Sequence, residues 1–470
     1  MKNLFMATAA ITLMMTTTVL TSCTSDNEDN PSTSNQEAIM VNTAALYDEL
    51  GIRSEMAQVL ASGDYVLTDT MLIYDASGSL VKKLGTESNN LEPLTFIVEG
   101  LADNAKGGNN NAEGLAAGSY TVVLWQTART ASGDRAWQLS GEEQLSTAIL
   151  NETRAPIGYA FAAGYASTTV TTAATRGAGL VPTLTPMAIG AIVDMRVDNL
   201  DAMADATALS LWGTNVGYCT GIRLAPAMDE EGRWYTDPDA KLPGRIAQLP
   251  VGQTSGKFFT LYHGPSNAFQ LWADKGDDEA YVTHLSYVPL PVGQQSVCYF
   301  DMGRQSWQPP FFGCPDDFAT WKADRDANIP VTDPLLRWGC SIDDIYDHVF
   351  SKTWYQSGNY DLEYWADPFE SWHQWYYVSP SALTEQYLFE TEDGQNLRYV
   401  VCICWDNTVP VEVCYNLLAR QGFHATGNTI LFDGANNYNQ YLSADGQTEA
   451  LALADSDGWY ITYRPFNNQQ

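Results

Sequence analysis

Between Tyr47 and Gly303 the chain returns again and again to one pattern: a short run alternating apolar and polar residues, then a turn rich in glycine, asparagine or aspartate. In "YVLTDTMLIYDASGSLVKKL" two such runs flank Asp75, Ala76, Ser77 and Gly78, residue types suited to a sharp reversal. "LEPLTFIVEGL" follows. In "AAGSYTVVLWQT" Gly118 opens a strand whose Tyr120, Val122 and Leu124 fall on one face. "AIGAIVDMRVDNL", "ATALSLWGTN", "GKFFTLYHGP" and "SVCYFDMG" continue the series. A period of two with such frequent turns does not suit helices. It predicts antiparallel sheets packed face to face, one sandwich over 47–178 and a second over 179–304.

The pattern then changes. Pro309, Pro310, Pro315, Pro330 and Pro334 crowd residues 305–334 and are expected to exclude a long regular element, leaving a linker. Residues 335–470 read as an α+β module. Ser341 followed by Asp344 forms a capping-box-like helix start, with Ile342, Ile345 and Val349 on one face. "EQYLFETEDGQNLRYVVCICW" predicts a hairpin. "TVPVEVCYNLLARQG" predicts a second helix with Pro410 in its first turn, an apolar stripe of Val413, Cys414, Leu417 and Leu418, and a stop at Gly422. "NQYLSADGQTEALAL" and "GWYITYRPF" supply closing strands.

The N-terminus concerns location. Lys2 precedes an apolar stretch from Phe5 to Leu20, which has signal-peptide organisation over residues 1–22. Five threonines between Ala7 and Val19 argue against a permanent spanning helix. Behind this stretch, "LTSC" resembles the lipobox of bacterial lipoproteins. That resemblance implies a diacylglyceryl group on Cys23, which becomes the first mature residue and places the chain in outer-membrane lipid through its acyl chains. Two or more such chains hold almost permanently, at about 0.8 kcal/mol per buried methylene. Residues 23–46 read as a flexible tether, with Asp26, Glu28 and Asp29 beside the lipid. An acidic run after the cysteine resembles the surface-export signal of Bacteroidota-type lipoproteins, which implies display on the outer surface, with the inward periplasmic leaflet as the alternative.

At 470 residues the chain is long enough for two to four domains, and its net charge of −32 repels nucleic acid. "LIYDASGSLV", "GLAAGSYTVVLW" and "AIVDMRVDNL", in that order behind a lipobox, resemble the fimbrillin and fimbriae-anchor superfamily. The fold class implied is mainly β: two transthyretin-like or immunoglobulin-like β-sandwich domains followed by the C-terminal α+β domain. The function implied is that of a non-enzymatic surface protein, an adhesin or fimbria-associated component, with fimbrial or other surface protein subunits as partners.

The densest local chemistry lies in "TWYQSGNYDLEYWADPFESWHQWYYVSP". Trp354, Tyr364, Trp365, Trp372, Trp375 and Tyr376 form a candidate platform on which a glycan would stack, with nearby carboxylates accepting its hydroxyl groups. The competing reading is that these rings fill a small core. No cofactor or metal is expected. The histidines His263, His284, His348, His373 and His424 have no ligand spacing, and "DSDG" and "DKGDDE" match a calcium loop only in part. The acids select no catalytic pair; Asp343/Asp344, Asp316/Asp317 and Asp277/Asp278 read as solvated surface. Besides Cys23, seven of the eight cysteines remain, an odd number. Cys402 and Cys404 alternate on one strand, so they share a face and read as buried small hydrophobes.

Overall fold

The strand Tyr65–Tyr74 is buried over most of its length, on both faces, instead of alternating. In the computed structural model it lies inside a five-stranded sheet, with Leu80–Ser88 on one side and Gly118–Thr130 on the other. Residues 37–466 are described, apart from 99–114, 116–117, 154–155, 173–181, 200–207, 220, 226–240, 251, 262–267, 277–278, 286–291, 304–307, 309, 331, 350, 352–362, 367–372 and 379–382. One face of the sheet packs on a three-stranded sheet of Thr183–Leu184, Glu37–Val41 and Leu94–Val98. Ile39, Val41, Met71, Ile73, Phe96, Val122 and Leu124 lie between the two. The other face carries helix α1 (Ala45–Glu49), helix α2 (Arg53–Ser62) and a small sheet containing Trp137–Ser140, through a core of Leu46, Tyr47, Met56, Leu72, Trp125 and Trp137. Double coverage explains the near-continuous burial.

Two expectations change here. Residues 37–46, read as the end of the tether, instead begin the fold: Glu37–Val41 pairs with Leu94–Val98 along its whole length. Residues 183–188, read as part of the second sandwich, pair with strands of the first. Two strand pairs are also parallel, Glu37–Val41 with Thr183–Leu184 and Ala191–Asp198 with Gln295–Asp301, where antiparallel pairing was expected.

The second sandwich stacks a five-stranded sheet (Phe311–Gly313, Gln295–Asp301, Ala191–Asp198, Ser255–Thr260, Ile157–Gly158) on a four-stranded one (Lys241–Leu249, Ala208–Cys219, Ala268–Gly276, Glu279–Leu285). Val193, Met195, Val197, Leu211, Ile246, Leu271 and Phe300 fill the gap. The two sandwiches share apolar contacts: Ile192, Phe259 and Leu261 join the core of the first, where Phe259 meets Trp137 edge-on at 6.0 Å.

The proline-rich linker contains a helix after all. Helix α3 (Pro315–Asp326) runs for 12 residues because Pro315 stands at its start, where the missing N–H would be unsatisfied in any case. Asp316 and Asp317 occupy its positive end. Phe318 and Trp321 pack on Tyr299 and Phe311 of the second sandwich, and Asp324 meets Arg420 of the C-terminal module at 2.7 Å.

That module is an eight-stranded antiparallel sheet in the order Glu363–Ala366, His373–Val378, Thr384–Phe389, Leu397–Cys404, Trp459–Pro465, Thr448–Ala454, Asn437–Ser443, Phe423–Leu431. Helix α4 (Ile342–Val349) starts at the expected cap: Asp344 Oδ2 accepts the Ser341 backbone N–H at 2.9 Å. The Asp344 N–H in turn reaches Ser341 Oγ at 3.4 Å. Helix α5 (Val411–Arg420) buries the same four residues read from its stripe, and Val413, Leu417 and Leu418 are worth about 1.5–3 kcal/mol each. The mainly β class, with a helix-bearing C-terminal part, is what the structure shows.

Candidate functional site

Tyr364 and Trp375 stand directly opposite one another on neighbouring strands, and their ring centroids are 4.9 Å apart. Tyr364 is 42% exposed, whereas Trp375 is 8% exposed and packs edge-on against Phe389 at 5.1 Å. The platform and the core readings therefore meet in one pair, the outer ring resting on an inner ring that belongs to the core. Trp365 and Tyr376 lie on the same two strands, opposite Gln374 and Glu363. Trp354 and Trp372 lie outside the described residues, as does Cys23.

The sheet face turned away from α4 and α5 carries a second set of rings that sequence reading did not assemble. Phe432 lies 6.3 Å from Tyr399 and 5.8 Å from Tyr438, with the Arg464 guanidinium 5.0 Å above it. Arg464 also pairs with buried Glu449 at 2.6 Å, and Glu449 accepts Gln440 Nε2. At the end of this face Trp405 is 59% exposed and meets Tyr460 at 5.5 Å with the rings 88° apart. Its hairpin partner in space is the turn 455–458. Gly458 there has φ of +148°, and a Cβ would lie 1.8 Å from the Cys404 carbonyl oxygen. Only glycine permits that approach. Trp405, Tyr438 and Tyr460 come from separate segments, so no local motif marks them. The one hint is an aromatic placed immediately after the apolar "VCIC".

Titratable groups inside the molecule have structural settings. Burial pushes the Asp69 carboxyl up to about 7, against the hydrogen bond it accepts from Gln126 Nε2 at 2.9 Å. Among the described residues Asp69 Oδ2, Gln126 Oε1 and Tyr47 Oη find no hydrogen-bond partner. Buried Glu385 accepts bonds from Thr332 and, at 2.7 Å, from Tyr387. Burial raises the Cys402 thiol well above its usual range and that of Cys414 to about 12, so neither is poised as a thiolate nucleophile. Among the described residues Cys298, Cys340, Cys402, Cys404 and Cys414 form no disulfide. His348 lies against the Asp333 carbonyl oxygen, and His424 is exposed. Among the described residues no group of three or more metal-ligating side chains comes together, and no helix is long and apolar enough to cross a membrane. Asp277 and Asp278 lie outside the described residues, and Asp344 is a cap.

No protein-family model matches the chain, and no curated protein matches it. Several solved structures are similar. A protein provisionally named as polysaccharide-binding, from Bacteroides thetaiotaomicron, shares 12% identity, covering 57% of this chain and 91% of its own, with a TM-score of 0.35. A fimbrial assembly protein from Parabacteroides distasonis shares 9%, covering 60% and 96%, with a TM-score of 0.33. A protein provisionally named for cell adhesion, from Bacteroides eggerthii, shares 12%, covering 58% and 88%, with a TM-score of 0.30. A likeness this loose assigns no activity and no partner.

Proposed function

We propose that the chain is a lipid-anchored cell-surface protein that works by adhesion, as an adhesin or as an anchor or accessory component of a fimbria, and not by catalysis. The observation that carries this reading is Cys23, spaced behind an apolar run and followed by acids up to a fold that begins at Glu37. Fully extended, the 13 residues between them carry the chain roughly 50 Å from Cys23 to Glu37, enough to hold the folded body clear of a bilayer. The strand Leu94–Val98 supports a role in subunit contact. Among the described residues it has a neighbour on one side only, and Ile97 is 51% exposed. Such an edge offers free backbone groups and an apolar side chain to a strand from another subunit.

The test is metabolic labelling with palmitate beside the variant Cys23→Ser. Label in the parent and none in the variant, with the variant lost from the membrane fraction and from protease-accessible surface protein, is the expected result. An unlabelled parent, or a variant equally membrane-held, overturns the anchor. Loss of cell attachment on deleting the protein tests adhesion separately. A second reading, glycan binding on Trp354, Tyr364, Trp365, Trp372, Trp375 and Tyr376, draws support from the exposed Tyr364 ring braced by Trp375. A glycan-array signal abolished by Tyr364→Ala would establish it.

A further inference from the structure

Among the described large apolar residues of the C-terminal module, Trp405 and Leu431 are the most exposed, and Trp405 is the larger. An indole normally contributes to a core or an interface, and here 59% of the residue faces solvent. This exposure is not that of a loose tail. Trp405 follows directly on Cys404, which is 1% exposed, and the backbone at Gly458 presses on the Cys404 carbonyl from the other side. Asn407 Nδ2 donates to the Ser456 carbonyl at 3.2 Å, tying the segment after Trp405 to the same turn. Tyr460 then sets its ring at 88° to the indole, so two aromatic surfaces form a fixed corner.

The corner has a sign. Asp455 and Asp457 project from the turn that supports it, and both are exposed. Among the described residues neither forms an ion pair. Their charge reaches the rings: burial raises the Tyr460 phenol, and Asp455 and Asp457 raise it further. Asp455 acts in the same way on Tyr438, whose hydroxyl donates to Asp433 at 3.1 Å. Aromatic faces attract cations through their quadrupole, tryptophan most strongly, and adjacent carboxylates strengthen that attraction. A neutral sugar could stack on the indole and donate hydroxyl groups to these carboxylates, but only a cation also answers their charge.

We infer that the corner of Trp405, Tyr460, Asp455 and Asp457 is a docking site for a cationic side chain, a lysine ammonium or arginine guanidinium, presented by a partner protein. The inference rests on the adhesive reading and names the chemistry of its protein partner. One cation on so open a site binds weakly, so useful strength comes from several basic residues or several copies acting together.

The experiment uses the full mature chain from Cys23 onward in detergent, with fluorescein-labelled hexalysine as probe and anisotropy as readout. Binding is expected, with none for the peptide carrying six acetyl-lysines. Trp405→Ala and the pair Asp455→Asn/Asp457→Asn should each weaken it about tenfold. Trp405→Leu, apolar but without a π face, should weaken it similarly, which separates cation–π attraction from plain apolar contact. The pair Asp343→Asn/Asp347→Asn, an equal charge loss on α4, should leave it within twofold. Circular dichroism confirms that each variant is folded. Equal weakening by the two charge pairs, or unchanged binding by Trp405→Ala, overturns the site. Trp405-dependent capture of a neutral oligosaccharide without hexalysine binding overturns it in favour of sugar. A chain that binds hexalysine through Trp405 but confers no attachment refutes the adhesive reading alone. One that confers attachment without binding hexalysine refutes this inference alone.

Discussion

Replacing Asp69 by asparagine should stabilise the protein, and more so as the pH rises. Asp69 sits in the middle of the strand Tyr65–Tyr74, 1% exposed, with one carboxyl oxygen bound to Gln126 and the other without a partner among the described residues. Its carboxyl is raised from 3.8 to about 7 by burial. The folded chain therefore keeps a proton that the unfolded chain releases, and stability falls as pH climbs from about 4 to about 7. The displacement sets a ceiling of about 4 kcal/mol on the loss. Water reaching the site as the sheet breathes reduces this, so about 2 kcal/mol is the working figure. Asparagine preserves the acceptor for Gln126 Nε2 and carries no charge to desolvate. Thermal unfolding should show Asp69→Asn gaining roughly 4–8 °C at pH 8, with the gain shrinking toward pH 4.5. A gain that does not grow with pH, or a loss at pH 8, refutes the assignment of a buried, protonated carboxyl.

Three further outcomes follow from packing and caps. Gly458→Ala places a Cβ against the Cys404 carbonyl at positive φ and should cost about 3 kcal/mol or more, read as a lower midpoint in urea. Ser341→Ala removes the α4 cap and should cost about 1 kcal/mol in the same assay, with Ser341→Asp recovering much of it. Arg325→Ala leaves Asp301, 7% exposed, without the guanidinium that pairs with it and should cost about 3 kcal/mol. In the parent, burial pushes the Asp301 carboxyl up, but Asn199, the Gly303 N–H and Arg325 together hold it below its usual value, so that stability is lost on acidification. The variant should lose part of that acid-side slope, measured by unfolding between pH 5 and pH 3.

What could be read in advance was local. The Ser341–Asp344 cap and the α5 stripe are written within one or two turns, and both appear as expected. The hairpin joining Thr384–Phe389 to Leu397–Cys404 is equally short-range. Helix α2 was hidden because only Met56 and Leu60 on it are buried, too few to set a period. Helix α3 was hidden because proline is both a helix breaker and a good first residue, and position decides which. Of the candidate glycan residues, the Tyr364–Trp375 contact depends on cross-strand register, which no local pattern specifies. The Trp405 corner depends on Leu397–Cys404 and Trp459–Pro465 being sheet neighbours, a long-range pairing made between residues more than fifty positions apart.

The segment Ile157–Gly158 belongs by chain order to the first sandwich and by hydrogen bonding to a sheet of the second. Phe259 meanwhile reaches back against Trp137, and Lys257 grips Glu55 of α2 at 2.7 Å. A seam laced in both directions does not flex like a hinge, so the two halves should move as one unit and melt in a single step. Scission near residue 179 would strip the lining from both pieces and leave neither able to stay in solution alone.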